Sequence, residues 1–301
     1  MDDEEPADTG EEQERREDNN RTMTRILVMG CLHGNITKEL DSKVKKKNFD
    51  SVMFLGDLAG EPSLDDIIGK KLTGKKKKQI IISYDDLVAA EYETGIEAMA
   101  WLNSLGKPVH VIFGNHDKYS VEFLGNMEHD YHEALPDYDV VMKKFKNLKY
   151  VHGKSFNVGG LKCGAYGGYV EIDTYLKSNV LHESPLAKVH RIKRFTMFAK
   201  DLSKASRKGL DIFMSHYPAH RMFDKIKNAN AGKMNGKNAG FSGYNKVIMR
   251  DEPRVFLHSH MHEHQGMRKL GKTLVVSTGA SLDRKFVILD INKSKVDVEF
   301  Y

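Results

Sequence analysis

Five short polar clusters, each directly after an apolar run, hold side chains whose types suit shared chemistry: Gly30-Cys31-Leu32-His33-Gly34, Gly56-Asp57, Gly114-Asn115-His116-Asp117, Ser215-His216 and His258-Ser259-His260-Met261-His262. Imidazole, carboxylate, amide oxygen and thiol together make the donor set of a metal site. Cys31 with His33, and His260 with His262, are separated by one residue. On extended backbone that spacing puts both side chains on one face, because strand side chains alternate with a period of two. Each cluster alone has a plainer reading: a hydrogen-bonded structural histidine, or a Gly-Asp or Gly-Asn turn. Five in one chain, all at strand ends, point to side chains gathered around one metal pair.

The elements that must carry these clusters follow from the hydrophobic pattern. Residues 25–29, 51–55 and 108–113 are continuous apolar runs, as in strands buried on both faces, and each stops at a glycine. Helices separate them. Residues 36–47 place Ile36, Leu40 and Val44 on one side, and in residues 85–105 Val88, Tyr92, Ile96 and Met99 recur at steps of four, four and three. Strand, glycine, polar loop and helix, repeated, imply an α/β sheet with its working residues at the carboxyl ends of strands. Further on, 151–168 is glycine-rich and short-stranded, and 189–206 is a basic amphipathic helix. Residues 211–214 and 254–257 read as buried strands, and 273–276, 286–290 and 296–300 as strands joined by turns. Residues 61–82, with Lys70, Lys71 and Lys75 to Lys78, read as an inserted lysine-rich loop, and 228–244 as a mobile loop.

At 301 residues, 40% hydrophobic and 30% charged, the chain can bury one sizeable core. No apolar stretch approaches the roughly eighteen residues of a spanning helix, and the N-terminus MDDEEPADTG is acidic where a signal peptide is basic and then apolar. A soluble cytoplasmic protein with no membrane partner is the expectation. Two cysteines, Cys31 and Cys163, exclude a disulfide framework, and Cys163 reads as a small buried residue. Residues 1–22 set ten acidic side chains against Arg15, Arg16 and Arg21, a balance of −7, and are expected to be a disordered tail. The other 279 residues carry 44 Lys and Arg against 32 Asp and Glu, or +12, so the domain expected over 23–301 favours anionic partners such as phosphate esters or nucleic acid.

With these motifs in this order the sequence resembles the calcineurin-like metallophosphoesterases. Their pattern is Asp-x-His, Gly-Asp, Gly-Asn-His-Asp/Glu, a single His, then Gly-His-x-His; here it reads Cys31-x-His33, Gly56-Asp57, Gly114-Asn115-His116-Asp117, His216 and Ser259-His260-x-His262. The resemblance implies a four-layer αββα sandwich of two mixed sheets flanked by helices. It implies two divalent ions, Mn²⁺, Zn²⁺ or Fe²⁺, that hydrolyse phosphomonoesters or diesters by a metal-bound hydroxide. His33, Asp57 and His262 would hold one ion and Asp57, Asn115, His216 and His260 the other, with Asp57 as the bridge. His116 would lie beside the substrate phosphate, with Asp117 orienting its ring.

Cys31 stands where most of the family has Asp, and a thiolate prefers softer ions such as Zn²⁺ or Fe²⁺. The RNA lariat debranching enzymes are similar here, since they also carry Gly-Cys-x-His-Gly and a small residue in place of the last glycine, as Ser259 is. That likeness implies a 2′-5′ phosphodiesterase. Against it, debranching enzymes continue well beyond their last motif, whereas here 274–281 and 286–290 resemble the ending of compact generic phosphoesterases. Cys31 also admits a third reading, a weakened centre in a protein that serves as a docking scaffold. His258 and His264 flank the candidate ligands and read as surface histidines, and Trp101 reads as core.

Overall fold

The computed structural model describes residues 23–60, 84–117, 135–167, 200–227 and 235–301. The acidic tail, the lysine-rich insertion, most of the basic helix expected over 189–206, and residues 228–234 lie outside the described residues.

The apolar run at the start of the folded part forms β1 (Thr24–Met29), whose alternate side chains serve two cores: Leu27 and Met29 face one, Ile26 and Val28 the other. β2 (Ser51–Phe54), β3 (Val109–Val111) and β4 (Leu148–Tyr150) add in parallel register to one side of β1. On the other side β11 (Val287–Ile291) and β12 (Val296–Phe300) add antiparallel, giving the order β12-β11-β1-β2-β3-β4. The second sheet has the order β5-β6-β7-β8-β10-β9. Its β6 (Leu161–Tyr166), β7 (Ile212–Ser215), β8 (Val255–His258) and β10 (Thr273–Thr278) are parallel, with β5 (Lys154–Val158) and β9 (Gln265–Leu270) antiparallel at the edges.

Between the sheets, Ile26, Val28 and Met53 meet Ile212, Met214, Val255 and Leu257. Outside the first sheet pack α1 (Lys38–Lys45), α2 (Tyr84–Ser104) and α3 (Tyr138–Met142). Outside the second sheet, Phe213 and Phe256 pack under α4 (Ser242–Asp251) and a helical segment at 200–205. The result is the expected αββα sandwich of two mixed six-stranded sheets. Among the described residues no helix is long and apolar enough to cross a membrane.

Local chemistry explains the helix ends. Thr37 caps α1 by accepting the Leu40 amide at 3.1 Å, with Glu39 and Asp41 in the first turn and Lys43 and Lys45 in the last, all favourable to the helix dipole. Helix α4 has Phe241 at its N-cap and no side-chain cap, so the sequence carries no start signal and its first residues read as the end of the loop over 228–244. Strands β4 and β9 are likewise unmarked, β4 being three residues long and β9 (Gln-Gly-Met-Arg-Lys-Leu) having neither an apolar run nor clean alternation. Cys163 is fully buried, whereas Trp101 is only partly so and donates its indole N–H to Asp41 at 2.7 Å.

Candidate metal centre

The parallel strands of both sheets end on one side of the sandwich, and the polar clusters follow β1, β2, β3, β7 and β8 there. The loops are zipped together through backbone. Cys31 N–H donates to Gly56 O, the Leu32 and His33 amides both donate to Asp57 O, and Gly34 N–H donates to Leu58 O, at 2.8–3.1 Å. From the other sheet, Ser259 N–H donates to His216 O at 3.1 Å, and the Ser281 and Leu282 amides donate to Gly30 O and Cys31 O. Gly114 has no room for a side chain: a Cβ there would sit 2.1 Å from Asp57 Oδ1 and 2.7 Å from His216 Cε1.

Cys31, His33, Asp57 and His260 all have left-handed backbone, with φ of 53°, 49°, 59° and 63°. Residues with a Cβ pay for that conformation, which persists where the surroundings over-determine it and is common in functional loops as well as at helix ends such as Glu252 and Arg284. Here it turns successive side chains of tight loops into one space.

The ligand-type atoms converge. His33 Nε2 lies 3.2 Å from His262 Nε2 and 3.6 Å from Asp57 Oδ2. His216 Nε2 lies 3.1 Å from Asn115 Oδ1 and 3.2 Å from Asp57 Oδ2. Cys31 Sγ is 3.8 Å from Asp57 Oδ2 and accepts the His260 amide at 3.2 Å. The donor atoms of Cys31, His33 and His262, of Cys31, Asp57 and His216, and of His33, Asp57 and His116 each lie within 4.8 Å of one another. His260 belongs to none of these triads; its ring packs against His216 at 5.0 Å and Tyr217 at 4.2 Å.

These residues fit a pair of divalent ions. Two donors that each sit about 2.1 Å from one ion are about 3.0–3.4 Å apart in octahedral or tetrahedral geometry, the separation of the His33/His262 and His216/Asn115 pairs. Backbone carbonyls hold the outer ring nitrogens, with His33 Nδ1 3.1 Å from Ala59 O and His216 Nδ1 2.7 Å from Leu55 O, so each Nε2 faces inward. Burial lowers the His216 pKa, but Asp57 outweighs it and raises it, so an ion bound there would displace a proton from that ring. Burial pushes His33 down to about 4 and lowers His260 and His262, so these rings are neutral, as ligands must be. Burial opposes ionisation of Asp57, but His216 and then His33 outweigh it and hold the carboxyl well below its usual range. One Asp57 oxygen, Oδ2, faces both histidine groups, and the other accepts the His116 amide at 3.0 Å.

Two expectations are corrected. Asp117 does not reach the His116 ring: its Oδ1 accepts the Leu58 amide at 2.8 Å and its Oδ2 the amides of Asp57 and Gly114 at 2.8 and 2.7 Å, so it ties the second loop to the third. Burial and the Asp57 charge push it up to about 6. The carboxylate beside the His116 ring is Glu91 of α2, with Oε1 3.5 Å from Nδ1. Glu91 stands in no cluster, and nothing in its helical spacing distinguishes it from a solvated acid. That contact is also the largest cause of the His116 ring being raised to about 9. The second correction concerns His258, which is fully buried between Phe223 and Phe256 and is kept neutral, its pKa pushed down to about 3 by burial. His264 is partly exposed, with Nε2 2.7 Å from Lys225 O.

A two-sheet α/β sandwich with histidine, carboxylate, amide and thiol donors between its strand ends defines a class of metal-dependent enzyme folds. The chain belongs to the calcineurin superfamily of metallophosphoesterases, whose family model matches residues 20–301. Members of this superfamily typically hydrolyse phosphoester bonds with divalent metal ions. Among solved structures, one crystal structure aligns at a TM-score of 0.54 and 16% identity, over 92% of this chain and 99% of that one. A dimetal phosphatase from Danio rerio aligns at 0.47 and 11% identity, over 92% and 95% of the two chains. TT1561 of Thermus thermophilus aligns at 0.46 and 14%, over 92% and 99%. No curated protein matches the chain.

Proposed function

We propose that this chain hydrolyses phosphate esters at a dinuclear centre. His33, Asp57, His262 and Cys31 hold one ion, and Asp57, Asn115, His216 and His260 the other. The observation that carries the reading is Asp57: a buried carboxylate, 2% exposed, with one oxygen within 3.2–3.6 Å of histidine nitrogens from both sheets. When bound, the ions supply Lewis acidity and activate water for in-line attack at phosphorus.

The rest falls to the chain's own residues. Asn115 presents a neutral oxygen next to His216, and the Leu55 and Ala59 carbonyls orient the ligand rings by their Nδ1 atoms. His116, whose side chain is 38% exposed, holds a proton for the leaving oxygen.

Cys31 turns its sulfur into the donor cluster, which supports a working thiolate ligand and weighs against a weakened centre kept only as a docking scaffold. The likeness of Gly30-Cys31-x-His33-Gly34 to the debranching enzymes supports a second substrate reading, the 2′-5′ phosphodiester of branched RNA. The test is hydrolysis of p-nitrophenyl phosphate, its bis ester and branched RNA by chelated protein given back Mn²⁺, Zn²⁺ or Fe²⁺, with Asp57→Ala as background. Activity above that background supports the reading; none with any metal overturns it.

A further inference from the structure

Helix α2 reaches the centre from a side that no motif marks. Glu91 puts Oε1 3.5 Å from His116 Nδ1. Three residues on, Thr94 Oγ1 accepts the Gly60 amide at 3.1 Å and donates to the Glu91 carbonyl at 2.6 Å, fastening the helix to the loop that carries Asp57. Beyond Glu91, the Tyr138 hydroxyl donates to Tyr92 O at 2.8 Å and the Tyr92 hydroxyl to Pro136 O at 2.7 Å. The backbone of Glu91 is therefore held from both sides. The backbone of His116 is held by Asp57, and among the described residues its ring is hydrogen-bonded at Nδ1; on its other flank the His33 ring meets it edge-on at 4.9 Å. Asp117, the neighbouring carboxylate, has both oxygens committed to amides.

We propose that Glu91 is the positioning residue for His116: by accepting the Nδ1 proton in a hydrogen bond it fixes the ring plane so that Nε2–H points at the leaving oxygen of the ester. The inference rests on the phosphoesterase reading and adds a residue to it. In the step it serves, a water oxygen bonds to phosphorus as the bond from phosphorus to the leaving oxygen breaks. The Nε2 proton goes to that oxygen to give the free alcohol. The attacking water gives a proton to solvent, and the ring regains one from solvent. A contact of 3.5 Å is at the outer limit of a hydrogen bond, as catalytic contacts often are before substrate closes them.

The test uses the metal-loaded full chain with Glu91→Gln, Glu91→Ala and Glu91→Asp on two esters, p-nitrophenyl phosphate, whose leaving group needs little protonation, and an alkyl phosphate, whose leaving group needs a full proton. Removing the hydrogen-bond partner that orients a metal-ligating side chain costs about 10–100-fold, and a loss of that order is expected for the partner of His116. Glu91→Gln and Glu91→Ala should show that loss in kcat on the alkyl ester and a several-fold smaller one on the nitrophenyl ester. Glu91→Asp should recover part of it. Metal content and melting temperature should match wild type, since Glu91 is a quarter exposed and its contact is with His116, which is assigned to neither ion. Equal losses on both esters, no loss, or loss of metal overturns the inference. If the wild-type chain cleaves neither ester, the variants are compared on the bis ester and branched RNA instead; no activity on any of these substrates overturns the phosphoesterase reading and this one with it.

Discussion

Asp57 illustrates how much one side chain must satisfy. Its backbone is left-handed, its carbonyl takes two amides, its own amide goes to Asp117, and its carboxylate faces histidines of both sheets. His116 differs because only its ring is free to act, so His116→Ala should lower turnover by about 10²–10⁴, the usual contribution of a proton donor, with metal content unchanged. Elemental analysis beside a turnover assay checks both halves. Cys31 leads to a second prediction at this scale. Burial, and after it the Asp57 charge, push the free thiol well above its usual range, so it is a thiol until a cation displaces the proton. Cys31→Asp restores a hard donor and should shift preference from Zn²⁺ towards Mn²⁺, read by competition between the two ions. The residues that the sequence made visible are those directly after strands, where the apolar run fixes both direction and exit. Glu91 and the carbonyls of Leu55 and Ala59 were not visible, because a helix face and a backbone acceptor carry no motif.

At the scale of elements, loops are held by buried carboxylates rather than by long side chains. Asp117 joins the loop after β2 to the loop after β3, so Asp117→Ala leaves four amides, those of Asp57, Leu58, Ala59 and Gly114, without that acceptor. At about 1–3 kcal/mol for an unsatisfied buried group, the variant should melt lower and lose metal together. Asp251 plays the same part at the end of α4, where it takes the Ser206 hydroxyl and the Arg250 guanidinium. Burial raises its pKa, but Arg250 and Ser206 outweigh that and hold it below the usual carboxylate value. A carboxyl whose pKa is depressed by folding stabilises above its unfolded pKa, and that contribution is lost as pH falls through the folded one. Wild type should therefore exceed Asp251→Asn in stability at neutral pH, with the gap closing below about pH 4; melting at several pH values measures it. Core strands were legible because a run buried on both faces needs no context. Helix α4 and β9 were not, since α4 lacks a cap and β9 is an exposed edge set by its pairing with β10.

For the whole molecule, the first sheet supplies Cys31, His33, Asp57 and Asn115, and the second His216, His260 and His262. Bound ions would cross-link the two halves of the sandwich across their shared core. Metal should then stabilise the fold by about 2.7 kcal/mol at a hundredfold excess over Kd. Chelation should lower the melting temperature of wild type and leave Asp57→Ala unmoved. Whether these distant side chains do gather around a shared ion pair comes down to a count of metal on protein purified without chelator or nickel resin and then supplemented. About two ions per chain are expected, falling towards none in Asp57→Ala. A supplemented wild-type chain that holds no metal would refute the dinuclear centre.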